Sequence, residues 1–320
     1  LKLGSSSPGF VGIQLERRGH PMDGPKIELH DPSSVGLSGE RLGRLDGYVR
    51  SLVDGGHRPN GMVLVARHGK VVHCRGFGRQ NDGGAASLQP QPVDLRQDTI
   101  FRIYSMSKPI TSVALMMLYE EGAFLLTDPA WLYLGKEWRK ENMRVWKSGS
   151  EKRGDMVTEP CKKSITIKHL LTHTSGLSYG FDLTGDVNPV DYLYNKAKIQ
   201  GSNATELTLK QFVSSLAAMP LLFQPGSCWN YGYNTDVCGM LVEAISGVPF
   251  ADFLHRRVFA PLGMVDTAFW CPPEKRHRLA DCFQEYPRPG PGQPRLRNVS
   301  RTKQQDAYTA GPPAMSSGGG

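Results

Sequence analysis

A hydroxyl and an amine stand three residues apart at the start of an apolar run, in Ser105-Met106-Ser107-Lys108. On a helix, residues at this spacing lie one turn apart on the same face. A serine hydroxyl becomes a good nucleophile when a neighbouring base removes its proton, and a neutral amine is such a base. Free backbone N–H groups at a helix N-terminus would also stabilise a developing negative charge. The spacing therefore indicates acyl transfer through Ser105, with Lys108 as the base.

The same residues also fit a simpler role, because serine is a common helix N-cap and a lysine one turn later is often solvated. A second copy of the spacing, Ser300-Arg301-Thr302-Lys303, lies in a stretch rich in Pro, Arg and Gln, with no helical pattern after it. Taken alone, the four residues leave a helix cap and a nucleophile both open. The elements around them have to decide.

Hydrophobic periodicity predicts the elements that would position these residues. Apolar residues recur at helical spacing from Met106 to about Gly122. Upstream, Ser38 is predicted to cap a helix to about Val53, and a hairpin over residues 61–74 turns at Arg67-His68-Gly69-Lys70. Downstream, short helices are predicted after Pro129 and within 164–177, and longer ones over Leu209–Met219, Thr235–Ser246 and Pro249–Ala260.

Composition and charge limit the classes of partner. The chain has 320 residues, of which 39% are hydrophobic, enough for one large or two modest domains with real cores. No apolar run approaches the length of a membrane span. The net charge of +8 is concentrated in residues 136–163 and 272–303, which are predicted to be exposed insertions. Neither segment interleaves basic residues with stacking aromatics, so we expect no nucleic-acid partner.

The cysteines and histidines do not predict a metal site. The six cysteines are scattered without a Cys-x-x-Cys pair, so we expect free thiols, which slightly favours a cytoplasmic location. His169 and His173, four residues apart, resemble half of a metal site, but no third ligand stands out and a structural role is expected for both. No metal or cofactor is therefore expected.

Four motifs follow one another along the chain: Ser105-Met106-Ser107-Lys108, His173-Thr174-Ser175-Gly176-Leu177, Pro225-Gly226-x-x-Trp229-x-Tyr231 and Pro261-Leu262-Gly263-Met264. In this order they resemble the serine β-lactamase-like superfamily, and in particular its branch of class C-related carboxylesterases and acyltransferases. The resemblance implies an α+β, transpeptidase-like fold, in which an antiparallel sheet with flanking helices carries an inserted helical half.

The resemblance also implies a division of the chain. A flexible lead-in over residues 1–35 would precede one β-lactamase-like domain over residues 36–320. Within that domain we expect a sheet half (36–104), a central helix with the helical half (105–270), and an irregular, incomplete return to the sheet (271–320). The family's Lys/His-x-Gly or Trp-Gly-Gly strand, which supplies a second oxyanion donor, is not found in these residues. We therefore expect a truncated chain without the C-terminal strands of the sheet.

Residue roles follow from the same resemblance: Ser105 as nucleophile, Lys108 as its base partner and Tyr231 as the second proton-transfer group. A tyrosine and a lysine have similar intrinsic proton affinities, so that a neighbouring pair can share one proton. Tyr233 and Asn234 are expected to bind substrate. In β-lactamases the pattern is Tyr-x-Asn, with the asparagine gripping the substrate amide, whereas here Tyr233 takes that place and Asn234 follows one position late.

These residues predict a serine hydrolase or acyltransferase that acts on small-molecule esters or thioesters through an acyl-Ser105 intermediate. A β-lactamase or D-alanyl peptidase is the alternative within the same chemistry. A non-catalytic scaffold, or an inactive fragment, is the alternative from another class.

Overall fold

The computed structural model describes residues 27–180, 188–199, 207–286, 295–302, 305 and 309–319. Within these ranges the helices are α1 Gly39–Asp54, α2 Ser107–Glu120, α3 Trp131–Leu134, α4 Ile167–Leu171, α5 Pro189–Lys196, α6 Leu209–Ala217, α7 Asn234–Ser246 and α8 Phe250–Leu254. The strands are β1 Asn60–Arg67, β2 Lys70–Asn81, β3 Val93–Asp94, β4 Arg144–Ser148, β5 Val157–Pro160, β6 Phe283–Glu285 and β7 Leu296–Asn298. The predicted order of a helix, a hairpin and then mostly helices is confirmed.

The N-terminal half is built on the predicted hairpin. Strands β1 and β2 pair antiparallel from Asn60↔Gly78 to Arg67↔Lys70, and β3 adds a short third strand beside β2. The two turn residues, His68 and Gly69, both have positive φ (51° and 74°), as a turn that follows the strand twist requires. Helix α1, capped by Ser38 as predicted, packs against both β1 and β2.

The helical half is organised around one helix pair. Helix α7 packs against α2 and also contacts α3, α4, α6 and α8. Ala114 and Leu115 of α2 and Val237 and Leu241 of α7 have no exposed surface, and they belong to one continuous apolar core. Burying a side chain of the size of Val or Leu stabilises the fold by about 1.5–3 kcal/mol. Gly247 is the C-cap of α7, with a φ of 70° in the left-handed conformation that glycine readily adopts.

The first basic segment, residues 136–163, was predicted to be an exposed insertion, and that prediction is wrong. Strands β4 and β5 form a hairpin in it, and Trp138, Met143 and Val145 are at most 2% exposed. The backbone N–H of Trp146 donates to the backbone carbonyl of Leu221 at 2.7 Å, and this hydrogen bond connects β4 to the chain after α6. The segment contains many charged residues, but the few apolar residues between them are enough to anchor it in the core.

In the second basic segment, the described residues 272–286 and 295–302 likewise do not form an exposed insertion. Its Arg278 is buried and forms a two-pronged ion pair with Asp266, at 2.6 and 2.8 Å. Asp281 is buried too and accepts hydrogen bonds from the side chains of Asn81 and Ser87. Burial would raise the pKa of the Asp281 carboxyl, but these and two backbone hydrogen bonds outweigh it and hold that pKa below its usual value. The segment therefore crosslinks the chain to β2.

The described residues include some that precede the expected boundary at residue 36. Residues 1–26 of the expected lead-in lie outside the described residues. Pro32–Val35 form a 3₁₀ turn capped by Asp31, and Val35 is 6% exposed in a small core with Leu42 and Val72. The apolar side chain of Val35 therefore packs against α1 and β2.

Among the described residues no single helix has the length and apolar character needed to cross a membrane. Helix α7 and the helical segment Phe250–Phe259 meet those criteria only as a pair, which is bent by 81°.

Candidate active site

Ser105 lies in a 3₁₀ turn, Tyr104–Met106, that leads directly into α2. Its amide belongs to the first turn of this helical segment, where backbone N–H groups lack intrahelical acceptors. The preceding residue, Tyr104, has a φ of 42°, a conformation that costs a bulky residue about 1–3 kcal/mol. The Tyr104 hydroxyl donates to Gln305 Oε1 at 3.0 Å. The side chain of Ser105 is thereby presented at the surface, on the outside of a strained bend.

Three side chains from distant parts of the chain meet at Ser105. Lys108 Nζ donates to Ser105 Oγ at 3.1 Å, and the Tyr231 hydroxyl lies 2.9 Å from the same oxygen. Lys108 Nζ also lies 4.8 Å from the centre of the Tyr231 ring. The structure therefore brings together all three residues expected to be catalytic, within the distances that proton transfer requires.

The segment that carries Tyr231 crosses close to the His173–Tyr179 segment. The rings of Tyr231 and His173 stack, with centroids 5.2 Å apart and planes 6° apart. At Gly232 a Cβ atom would stand 2.5 Å from the Leu177 carbonyl oxygen and 2.8 Å from that of Ser178, closer than any side chain tolerates. Glycine is thus required here so that Tyr231 can reach the end of α2.

His173 supports Tyr231 through hydrogen bonds as well as stacking. Its Nδ1 accepts from the Asn234 amide at 3.1 Å and from the Gly232 N–H at 3.4 Å, which assigns the proton of the neutral ring to Nε2. Burial, and secondly the nearby Lys108 ammonium, lower the pKa of His173. The ring is thus held neutral, with its acceptor facing the Tyr231 segment. His169, four residues earlier, completes a capping box at Thr166.

Tyr233 and Asn234 do not line the surface beside Ser105. Tyr233 is 4% exposed and packs between the rings of Tyr179 and Phe212, and Asn234 has no exposed surface. The Asn234 side chain accepts from Ser175 Oγ at 2.5 Å and donates to His173. Their burial does not fit the expected contact with substrate. Both residues lie beneath Tyr231, because they enter helix α7 on the side that faces the core.

Two features of the site were not predicted from the sequence. Lys108 Nζ donates to the backbone carbonyl of Gly319 at 2.7 Å, in the segment 271–320 that was expected to be irregular. The ring of Tyr179 lies 5.6 Å from Lys108 Nζ and 5.2 Å from the Tyr231 ring. A backbone carbonyl has no residue type that reveals it. An aromatic residue just after the His-Thr-Ser-Gly motif was the available signal for Tyr179.

The second Ser-x-x-Lys copy is not a comparable site. Ser300 has no exposed surface, and its hydroxyl is bonded to Asn298 Oδ1 at 2.5 Å and to the Cys282 N–H at 2.8 Å. Its Lys303 lies outside the described residues. A hydroxyl that is fully bonded and away from water cannot reach a substrate carbonyl.

The comparisons with known proteins agree on the architecture. The family described as Beta-lactamase matches residues 45–319. Esterase EstB of Burkholderia gladioli is 32% identical over 241 residues, which are 75% of this chain and 54% of the esterase. Lovastatin esterase of Penicillium rubens is 30% identical over 228 residues, 71% of this chain and 52% of that enzyme. This chain thus spans about half the length of these curated relatives.

Among solved structures, unliganded simvastatin synthase (LovD) from Aspergillus terreus superposes with a TM-score of 0.68 at 26% identity. The superposition covers 88% of this chain and 64% of that chain. The β-lactamase/transpeptidase-like fold that the four motifs predicted is therefore confirmed.

The neutral state of His173 predicts a pH dependence of stability. The folded state lowers the pKa of His173, so the unfolded chain binds a proton first as the pH falls below about 6.5, the ordinary value. The stability that neutral His173 contributes is present above that pH and is lost as the pH falls further towards the folded pKa. Asn at this position keeps an acceptor, tolerates the positive φ of residue 173 (55°) and does not titrate.

We therefore expect that, as the pH falls from 7 to 5, the free energy of unfolding of the protein decreases relative to that of His173→Asn. Urea titrations across that range measure it. A difference that stays constant with pH would show that His173 does not couple protonation to stability.

Proposed function

The chain belongs to the beta-lactamase family, and we propose that it is a serine hydrolase or acyltransferase that acts on esters or thioesters. The observation that carries the proposal is the contact of Ser105 Oγ with both Lys108 Nζ and the Tyr231 hydroxyl, at 3.1 and 2.9 Å. These are the parts that nucleophilic catalysis by serine needs: an exposed hydroxyl and, within hydrogen-bond reach, two groups that can share its proton.

Acylation would proceed as follows. Ser105 Oγ attacks the carbonyl carbon of the substrate while its proton passes to the Lys108–Tyr231 pair. The negative charge that develops on the carbonyl oxygen is stabilised by the Ser105 N–H at the start of the α2 segment. When the intermediate collapses, the bond to the leaving oxygen or sulfur breaks, and the same pair returns the proton to the leaving group. The products of this step are an alcohol or thiol and an acyl-Ser105 ester.

Deacylation reverses the roles. A water molecule or an acceptor alcohol attacks the acyl carbon and gives its proton to the Lys108–Tyr231 pair, and Ser105 leaves with a proton from that pair. Water as the nucleophile makes the protein a hydrolase, whereas an alcohol makes it an acyltransferase. The relatives include proteins of both descriptions, since some are named esterases and others are named acyltransferases.

Small-molecule esters are the favoured substrates over amides and β-lactams. The asparagine that would grip a substrate amide is replaced by Tyr233, and Asn234 is buried and bonded to Ser175 and His173. No amide side chain from this motif is therefore available to recognise a β-lactam. Trp229, which is 67% exposed, lies beside His173 with ring centroids 6.3 Å apart and offers an apolar surface near the site.

The first prediction from the proposed function concerns the nucleophile. A fluorophosphonate labels only an activated serine, so we expect it to label the protein and to fail with Ser105→Ala, which should also abolish hydrolysis of a short-chain aryl ester. Ser51→Ala, on the exposed face of α1, is the matched control and should keep both properties. Labelling of Ser105→Ala at an undiminished rate would remove the central proposal.

The second prediction concerns the proton-sharing pair. Lys108→Ala and Tyr231→Phe should each lower kcat for the aryl ester by about 10²-fold or more, because each removes one partner of Ser105 Oγ. The phenylalanine keeps the stacking on His173 and removes only the hydroxyl. Since the pair acts as a unit, the double variant should lose much less than the product of the two single losses. Additive losses would mean that the two groups act independently.

The third prediction distinguishes an esterase from a β-lactamase. Because neither Tyr233 nor Asn234 is exposed to grip an amide, kcat/KM for an aryl butyrate should exceed that for a chromogenic cephalosporin by at least about 10²-fold. Both constants are measured on the same preparation, with Ser105→Ala as the background. A preference for the cephalosporin would favour the β-lactamase reading instead.

A further inference from the structure

A buried carboxylate behind the site has no role in the chemistry described above. Asp236, in the first turn of α7, is 2% exposed. Its Oδ1 accepts from the Gly319 N–H at 3.2 Å and from the Ser317 hydroxyl. Its Oδ2 has no hydrogen-bond partner among the described residues. An acidic group buried at such cost, and only half satisfied, calls for a reason.

The two residues that Asp236 holds belong to the segment that contacts Lys108. The Gly319 carbonyl accepts from Lys108 Nζ at 2.7 Å, and the Gly318 carbonyl accepts from Thr111 Oγ1 at 2.8 Å. Asp236 therefore holds this segment from the α7 side, while Lys108 and Thr111 hold it from the α2 side. The nucleophile, Ser105, lies on the α2 side of this segment, and Asp236 lies on the opposite side.

The fit around this segment is tight. A Cβ atom at Gly319 would collide with the Asp236 carboxylate, and one at Gly318 would collide with the Thr235 carbonyl oxygen. Both glycines are buried. The backbone can therefore lie between α2 and α7 only without side chains. A small displacement of it would move the acceptor that orients the Lys108 amine.

We propose that Asp236 is a positioning residue, which fixes the Ser317–Gly319 segment so that the Gly319 carbonyl orients Lys108 towards Ser105. The proposal rests on the proposed function in that it explains how the base is held. Asp236 touches no reacting atom. Its action is geometric: it supplies an acceptor at a fixed place. Burial raises the pKa of the Asp236 carboxyl, which agrees with a role that does not depend on its negative charge.

Asn and Ala at position 236 separate geometry from charge. Asp236→Asn keeps an oxygen where Oδ1 accepts from Ser317 and Gly319, while it removes the charge and places an NH2 group where Oδ2 stands. Asp236→Ala removes the acceptor altogether. Asp252→Ala, on the exposed surface of α8, is the matched control. Thermal unfolding of each variant sets the assay temperature below every transition.

Hydrogen–deuterium exchange of the peptide that contains Gly319 reports on the segment without any need for activity. We expect its exchange to accelerate in Asp236→Ala and to stay near the original rate in Asp236→Asn and Asp252→Ala. The rate of fluorophosphonate labelling at Ser105 should fall by about 10-fold or more in Asp236→Ala, since small misplacement of a catalytic group has large effects. In Asp236→Asn it should stay within about threefold, with an unchanged pH profile.

Two results would overturn the proposal. Unchanged exchange and labelling in Asp236→Ala would show that the segment does not need Asp236. A loss in Asp236→Asn as large as in Asp236→Ala, or a shifted pH profile, would show that the charge matters instead. If Asp236→Ala does not fold, Ser317→Ala, which removes one of the two donors, takes its place, and unchanged exchange there counts against the proposal. If the unaltered protein is not labelled, the proposed function fails, but the exchange comparison still decides the role of Asp236.

Discussion

The site depends on the packing of helix α2 against helix α7. Ser105 precedes α2 and Lys108 lies in its first turn, whereas Tyr231 precedes α7 and Asp236 lies in its first turn. The contact between the two helices therefore sets how far Tyr231 and Asp236 lie from Ser105 and Lys108. Residues without exposed surface, such as Leu115 and Val237, form that contact. Interiors are close-packed, and a change of volume at such positions is transmitted to the helix ends. The chemistry at the surface is thus held by an apolar interface beneath it.

Much of this arrangement could be predicted, because it rests on local patterns. The apolar spacing of α1, α2 and α7 follows the helical period, and the turn at His68-Gly69 needs residues that accept positive φ. The Ser105, Lys108 and Tyr231 motifs were recognisable by residue type and order. What brings Tyr231 to Ser105 is tertiary packing, and only the family resemblance, not periodicity, anticipated it.

The errors have a common physical cause. Net charge predicted exposure for residues 136–163 and 272–303, yet Trp138 and Arg278 are buried, because a few anchoring side chains outweigh many solvated ones. The Gly319 carbonyl contributes through its backbone, which no residue type reveals. Sequence patterns describe a segment on average, whereas the site depends on individual atoms.

The hydrogen bonds at Ser105 constrain where protons lie. Lys108 donates to Ser105 Oγ, and the Tyr231 hydroxyl can act there as donor or acceptor. If Tyr231 donates, Oγ accepts from both groups, and its own proton points at neither. If Tyr231 accepts, the serine proton already points along the path that acylation needs, and the phenolic proton is directed away from Ser105. Only the second arrangement primes the nucleophile. The two arrangements differ only in the positions of protons. The change from the first to the second therefore requires the rotation of two hydroxyls and no movement of the backbone.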